Sequence, residues 1–137
     1  MVQIIAGKKG TGKTKRLIDI TGEAVNVTKG DVVFVEPGSK LMYGISNKAR
    51  LIDSKRFNIS GFDALYGFLS GICAANNDVT DIFVDGTLKI GGDNFDSLSA
   101  FISKLKVMSD QTDTRIVLSV SADPSELSGI DADIINF

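Results

Sequence analysis

The sequence predicts an α/β fold, a three-layer α/β/α sandwich built on a mostly parallel sheet. Two observations carry that expectation. The first is a set of short apolar runs at residues 2–6, 31–35, 81–85 and 115–120. They have strand length and no regular polar alternation, as strands covered on both faces require. The second is what lies between them: longer segments with apolar residues at i, i+3, i+4 and i+7, the spacing of a helix with one buried face. The 137 residues suffice for one domain with a single core.

Each element follows from its own residues. Val2-Gln3-Ile4-Ile5-Ala6 is the first strand. A helix from residue 13 to about 27 puts Leu17, Ile20, Ala24 and Val27 on one face, and Lys29-Gly30 supplies a cation and a C-cap glycine. Residues 31–35 form a second buried strand, stopped by Pro37-Gly38. The stretch 39–58 has no clear period, but Ala49-Arg50-Leu51-Ile52-Asp53 fits a short third strand. Ser60 reads as the cap of a helix carrying Phe62, Leu65, Tyr66, Leu69, Ile72 and Cys73, which Asn76-Asn77 ends. Residues 81–85 are the next strand and 86–93 a glycine-rich loop. Residue 94 to about 109 is a third amphipathic helix with Phe95, Leu98, Phe101, Ile102 and Leu105 inward. Residues 115–120 are the last strand, followed by loop and a short terminal element.

Composition narrows the function classes. Apolar residues are 43% and charged residues 23%, with a net charge of −2, so neither a nucleic-acid nor a membrane surface is expected. No window approaches a membrane span. The start Met1-Val2-Gln3-Ile4 has no charged leader region, so a cytoplasmic location is expected. The chain contains no histidine, which removes imidazole acid–base chemistry and histidine metal sites. Its one cysteine, Cys73, falls in a helical apolar pattern and reads as a small buried residue.

Residues 7–14 read Gly7-Lys8-Lys9-Gly10-Thr11-Gly12-Lys13-Thr14, a full match to the phosphate-binding pattern G-x-x-x-x-G-K-[ST]. A strand precedes it and a helix follows, the context this motif needs. A polyphosphate requires many N–H donors converging from one side, and the chain can supply them only by curling tightly. Gly7, Gly10 and Gly12 permit that curl through positive φ or close approach. The open amides of the following helix add donors and a partial positive charge. Lys13 is placed to reach the β and γ phosphates and Thr14 to bind the Mg²⁺ that bridges them. Lys8, Lys9, Lys15 and Arg16 raise the local positive potential. The predicted ligand is a nucleotide, ATP or another triphosphate, with Mg²⁺. A dinucleotide-binding turn is the competitor, but its glycines fall in the wrong order here and it leaves Lys13-Thr14 without a role.

In a parallel sheet, ligands sit outside the carboxyl ends of the strands. The glycine loop, Glu36, Asp85 and Ser121 all fall there. Ile82-Phe83-Val84-Asp85 has the form of a second nucleotide motif, an apolar strand ending in aspartate. Mg²⁺ takes hard oxygen ligands and keeps several waters, so a carboxylate near Thr14 suits it.

With these two motifs the chain resembles the P-loop NTPase superfamily, in its RecA-like branch, and is similar to short uncharacterised bacterial ATP-binding proteins. The resemblance implies an extra strand between the loop strand and the magnesium strand. Many ATPases of the branch carry a glutamate directly after the magnesium aspartate, where this chain has Gly86. RecA-like and rotary-ATPase-like members instead place the catalytic glutamate at the end of the strand after the loop helix, and Glu36 matches that location; its other reading is a surface turn residue before Pro37. A polar residue near the end of the last strand senses the γ-phosphate in the family. Ser121 is the candidate, ahead of Ser119, and otherwise caps the turn into Asp123-Pro124. For a finger cation, Arg50, Arg56 and Arg115 have no motif. Lys89 is better placed, although each reads first as a solvated charge.

Three functions fit: a small NTPase or switch using Lys13, Glu36 and Asp85, a phosphotransferase whose acceptor pocket is built from 38–56 and 86–93, and a non-hydrolysing nucleotide sensor. A protein partner or self-assembly suits a domain without an activator of its own. Tyr43 and Phe57 are the aromatic candidates for stacking on a base, with core or partly exposed positions as their other reading.

Overall fold

A computed structural model describes residues 1–41 and 44–135. Six strands form one sheet: β1 (Val2–Gly7), β2 (Asp31–Glu36), β3 (Ala49–Asp53), β4 (Val79–Val84), β5 (Arg115–Ser121) and β6 (Asp133–Ile135). Among the described residues, four α-helices accompany them: α1 (Lys13–Val27), α2 (Phe62–Ala75), α3 (Thr87–Gly91) and α4 (Phe95–Thr112). The strand order is β3-β2-β4-β5-β1-β6, and every neighbouring pair is parallel. All six carboxyl ends therefore lie on one edge.

The three layers follow from strand alternation. On one face Leu17, Ile20 and Ala24 of α1 pack against Ile5, Val32, Phe34, Phe83 and Val117. On the other, Leu65 and Leu69 of α2 and Leu98, Ile102 and Leu105 of α4 pack against Ile4, Val33, Ile82, Ile116 and Leu118. Neighbours along a strand point oppositely, so Ile82 and Phe83 enter different cores. Each such side chain fully buried contributes about 1.5–3 kcal/mol.

Several boundaries differ from the sequence reading, each for a local reason. Val27 is 81% exposed, because it is the last helical residue and Thr21 completes the buried stripe instead. Gly30 is not a C-cap: Thr28 caps α1 in an extended conformation. Gly30 is a close-approach position, where a Cβ would lie 2.2 Å from the Asp78 carbonyl oxygen. Ser60 does not cap α2. Gly61 does, its N–H donating to the Ile90 carbonyl at 2.8 Å and its carbonyl accepting from the Leu65 N–H.

The stretch 86–93 is not wholly a loop: residues 87–91 form α3, pinned by buried Thr87 and Ile90. α4 begins at the Asn94 cap as expected, the Asn94 side chain accepting from the Ser97 N–H, and runs to Thr112. β5 is not the last strand, because β6 adds alongside β1. Arg115 is not simply solvated; it pairs with Asp81 at 3.7 Å and donates to the Gln3 side chain at 3.0 Å, at the amino edge of the sheet. Cys73 is buried, as expected. Tyr43 lies outside the described residues, as does the terminal pair 136–137. Among the described residues, no helix is long and apolar enough to cross a membrane.

Candidate functional site

The parallel sheet brings Gly7, Glu36, Asp53, Asp85 and Ser121 to its carboxyl edge. Strand parity decides which of them meet. Phe83 and Val117 face α1. Asp85 and Ser119, two residues further along, therefore face it too, beneath its amino terminus.

The glycine loop connects β1 to α1. Gly10 and Gly12 have φ of 85° and 93°, a region that side chains disfavour, which is why the loop curls here. Gly7 does not share this conformation. It is the last residue of β1, in register with Ser121, and also bridges Ala122. The Lys8 carbonyl ties the loop together, accepting from the Thr11 hydroxyl at 2.7 Å and the Thr11 N–H at 3.3 Å. No side chain caps α1, so its first amides open toward the concavity.

Lys13 is only 7% exposed and donates to the Lys8 carbonyl at 2.9 Å. Burial lowers its pKa, the Asp85 carboxylate raises it, and the Lys89 ammonium lowers it again. An anion seated in the loop would relieve that destabilisation, because an opposite charge favours the ammonium form.

Thr14 and Asp85, 71 residues apart in the chain, meet at the base of the cleft. The Thr14 hydroxyl lies 3.1 and 3.2 Å from the two Asp85 carboxylate oxygens. The Ser119 hydroxyl donates to Asp85 Oδ1 at 2.7 Å and accepts the Gly86 N–H at 2.9 Å. The carboxylate is thus oriented by two hydroxyls, and both of its oxygens lie within 3.2 Å of the Thr14 hydroxyl. Among the described residues, no three acidic or thiol side chains cluster to hold a metal alone. A cation here would take Thr14 and Asp85 together with water and ligand oxygens, the donor set that suits Mg²⁺.

The resulting cleft has a volume of about 450 Å³. Lys9, Gly10, Gly12, Lys13 and Thr14 line one side, and Asp85, Gly86, Leu88, Lys89, Ser119 and Ser121 line the other. An anion with several oxygens could take backbone amides, ammonium groups and a metal from the two walls.

Not every predicted residue joins it. Lys8 and Thr11 shape the loop without lining the cleft, and Lys15 is exposed on α1. Glu36 is not a surface turn residue. It is 4% exposed and accepts the Leu41 N–H at 3.1 Å. Burial raises its pKa, offset by that N–H, and the Asp85 and Asp53 carboxylates raise it further. Glu36 is not among the described residues lining the cleft. Phe57 is 53% exposed, stacks with Phe68 at 6.5 Å between centroids, and lies away from the cleft. Asp123, rather than Ser121, caps the turn at Pro124, in a capping box with Glu126.

The residue that sequence reasoning ranked too low is Ser119. It is 2% exposed and holds Asp85, whereas Ser121 is exposed at the rim. Its signal was present: a hydroxyl inside the apolar run Ile116-Val117-Leu118-Ser119-Val120 must find a buried partner.

No protein-family model matches the chain, and no curated protein matches it.

Proposed function

We propose that this chain binds a nucleoside triphosphate, ATP by preference of the resemblance, together with Mg²⁺ in the cleft between the glycine loop and Asp85. One observation carries the reading: the two halves of the expected site, Thr14 and Asp85, meet within 3.1 Å although nothing in the local sequence joins them. The strand order supports it, since β5 lies between β1 and β4, as a RecA-like P-loop NTPase requires. Membership of that superfamily is part of the proposal.

The geometry supports these roles. The loop amides and Lys13 bind the phosphates, with Lys13 exchanging its Lys8 carbonyl for phosphate oxygen. Thr14 and Asp85 would hold Mg²⁺, with Ser119 orienting the Asp85 carboxylate. The metal, when bound, neutralises charge on the β and γ phosphates. Hydrolysis would use Glu36 to orient water, after it gives up the Leu41 N–H and turns toward the cleft. A specific observation favours a second reading, a nucleotide-binding switch without turnover. Gly86 follows Asp85, and Glu36 is held beneath the surface by Leu41.

Titration with Mg-ATP by calorimetry, followed by phosphate release, tests both. Wild-type protein is expected to bind, and Lys13→Ala to lose about 100-fold or more in affinity, the loss of a buried charge-assisted contact. Equal binding by wild type and Lys13→Ala removes the phosphate site. Glu36→Gln is expected to bind normally and release no phosphate; undiminished release takes Glu36 out of the chemistry.

A further inference from the structure

Three ammonium groups line the cleft, those of Lys9, Lys13 and Lys89, against one carboxylate, Asp85. Among the described residues none of the three forms an ion pair; the pairs present involve Met1, Lys104, Lys106 and Arg115. Converging cations repel one another, and an anion among them relieves that repulsion. Lys9 and Lys13 belong to the glycine loop. Lys89 does not: it comes from α3, beyond β4, on the opposite wall. With β5 between them, the strands β1 and β4 that lead into the glycine loop and into Asp85 stand about two strand spacings apart, roughly 10 Å.

The backbone of Lys89 is linked to the Asp85 carboxylate through Gly86 and Ser119. Ser119 bridges Asp85 and the Gly86 N–H, and the Gly86 carbonyl accepts the Lys89 N–H at 2.9 Å. The Lys89 stem lies against Gly86, its Cδ being 3.4 Å from where a Cβ would stand.

We propose that Lys89 is a phosphate-contacting cation supplied by the chain itself, which reaches the terminal phosphate from the Asp85 side and makes the cleft select triphosphate over diphosphate. The proposal rests on the nucleotide reading above. The glycine loop grips the phosphates shared by both ligands. Lys89 meets the charge that only the triphosphate carries.

Calorimetric titration of the full chain with Mg-ATP and Mg-ADP tests this. Lys89→Gln is expected to weaken Mg-ATP binding about tenfold and Mg-ADP binding less than about threefold, the scale of one exposed charge-assisted contact. Lys89→Arg is expected to restore most of the preference, and Lys104→Gln, which removes a remote lysine, to leave both affinities unchanged. If Lys89→Gln weakens both ligands equally or neither, while Lys13→Ala abolishes both, Lys89 has no selective contact and the nucleotide site stands. If the wild-type protein binds neither ligand, both the site and the role of Lys89 fall. Thermal unfolding of Lys89→Gln without ligand, expected to match wild type, separates lost contact from lost fold.

Discussion

Glu36 is a carboxyl kept from water, and burial places its pKa above the ordinary value of 4.5. The sign of its effect on stability follows by linkage. At low pH the group is protonated in both folded and unfolded chains. As pH rises, the unfolded chain loses its proton first. Stability then falls until the folded carboxyl ionises as well. Glu36→Gln keeps an oxygen for the Leu41 N–H and removes the titration. The difference in melting temperature, variant minus wild type, is expected to grow as pH rises above about 4.5, until the folded carboxyl ionises too. Parallel melting curves across that range would show that the carboxyl is not shifted. Ser119 is the complementary case at this scale: a neutral hydroxyl is buried at low cost because it both donates and accepts, bridging Asp85 and Gly86.

At the level of elements, two glycines near α1 behave oppositely although both have ordinary φ angles. Gly22 is inside the helix with no atom near the position of a Cβ. Gly22→Ala is expected to stabilise by about 0.5–1 kcal/mol, by restricting the unfolded chain and favouring helix. At Gly30 a Cβ would meet the Asp78 carbonyl oxygen at 2.2 Å and the Thr80 methyl at 2.4 Å. Gly30→Ala is expected to cost about 1–3 kcal/mol, because backbone must move to make room. Urea unfolding midpoints of the two variants measure this. A neutral Gly30→Ala would mean that β2 and β4 do not approach so closely. Helix α3 shows another property of elements: five residues make a marginal helix alone, and Ile90 in the core with Gly61 bonded to its carbonyl holds it.

For the whole molecule, the cleft lies between parts of the chain that only the complete sheet assembles. A ligand bridging the glycine loop and Asp85 therefore binds the folded state and not the unfolded one. Mg-ATP at a hundred times its dissociation constant is expected to add about 2.7 kcal/mol, raising the melting temperature by roughly 10 °C for a chain of this size. Asp85→Asn is expected to lose the part of that rise that depends on magnesium. A rise that is the same with chelator as with Mg²⁺ would remove the metal from the site.

The glycine loop, the helix after it and the parallel sheet were legible in the sequence because they are written locally. Residues 7–14 are contiguous, α1 declares itself by spacing, and doubly covered strands are apolar throughout. The cap of α2 and the helix α3 were not legible, because both depend on Gly61 meeting Ile90, a contact between separate segments. The choice between Ser119 and Ser121 was half legible. Parity put both on one face, but only the register of β5 against β4 brought Ser119 to Asp85. The sequence by itself determined the fold class and the tightly curled glycine loop, since backbone conformation and periodicity are properties of neighbours along the chain. The tertiary structure alone decided that Asp85 faces Thr14, that Lys89 lines the cleft beside Asp85 and that Glu36 is buried rather than exposed in a turn. Those are matters of strand order and register, which no stretch of local sequence encodes.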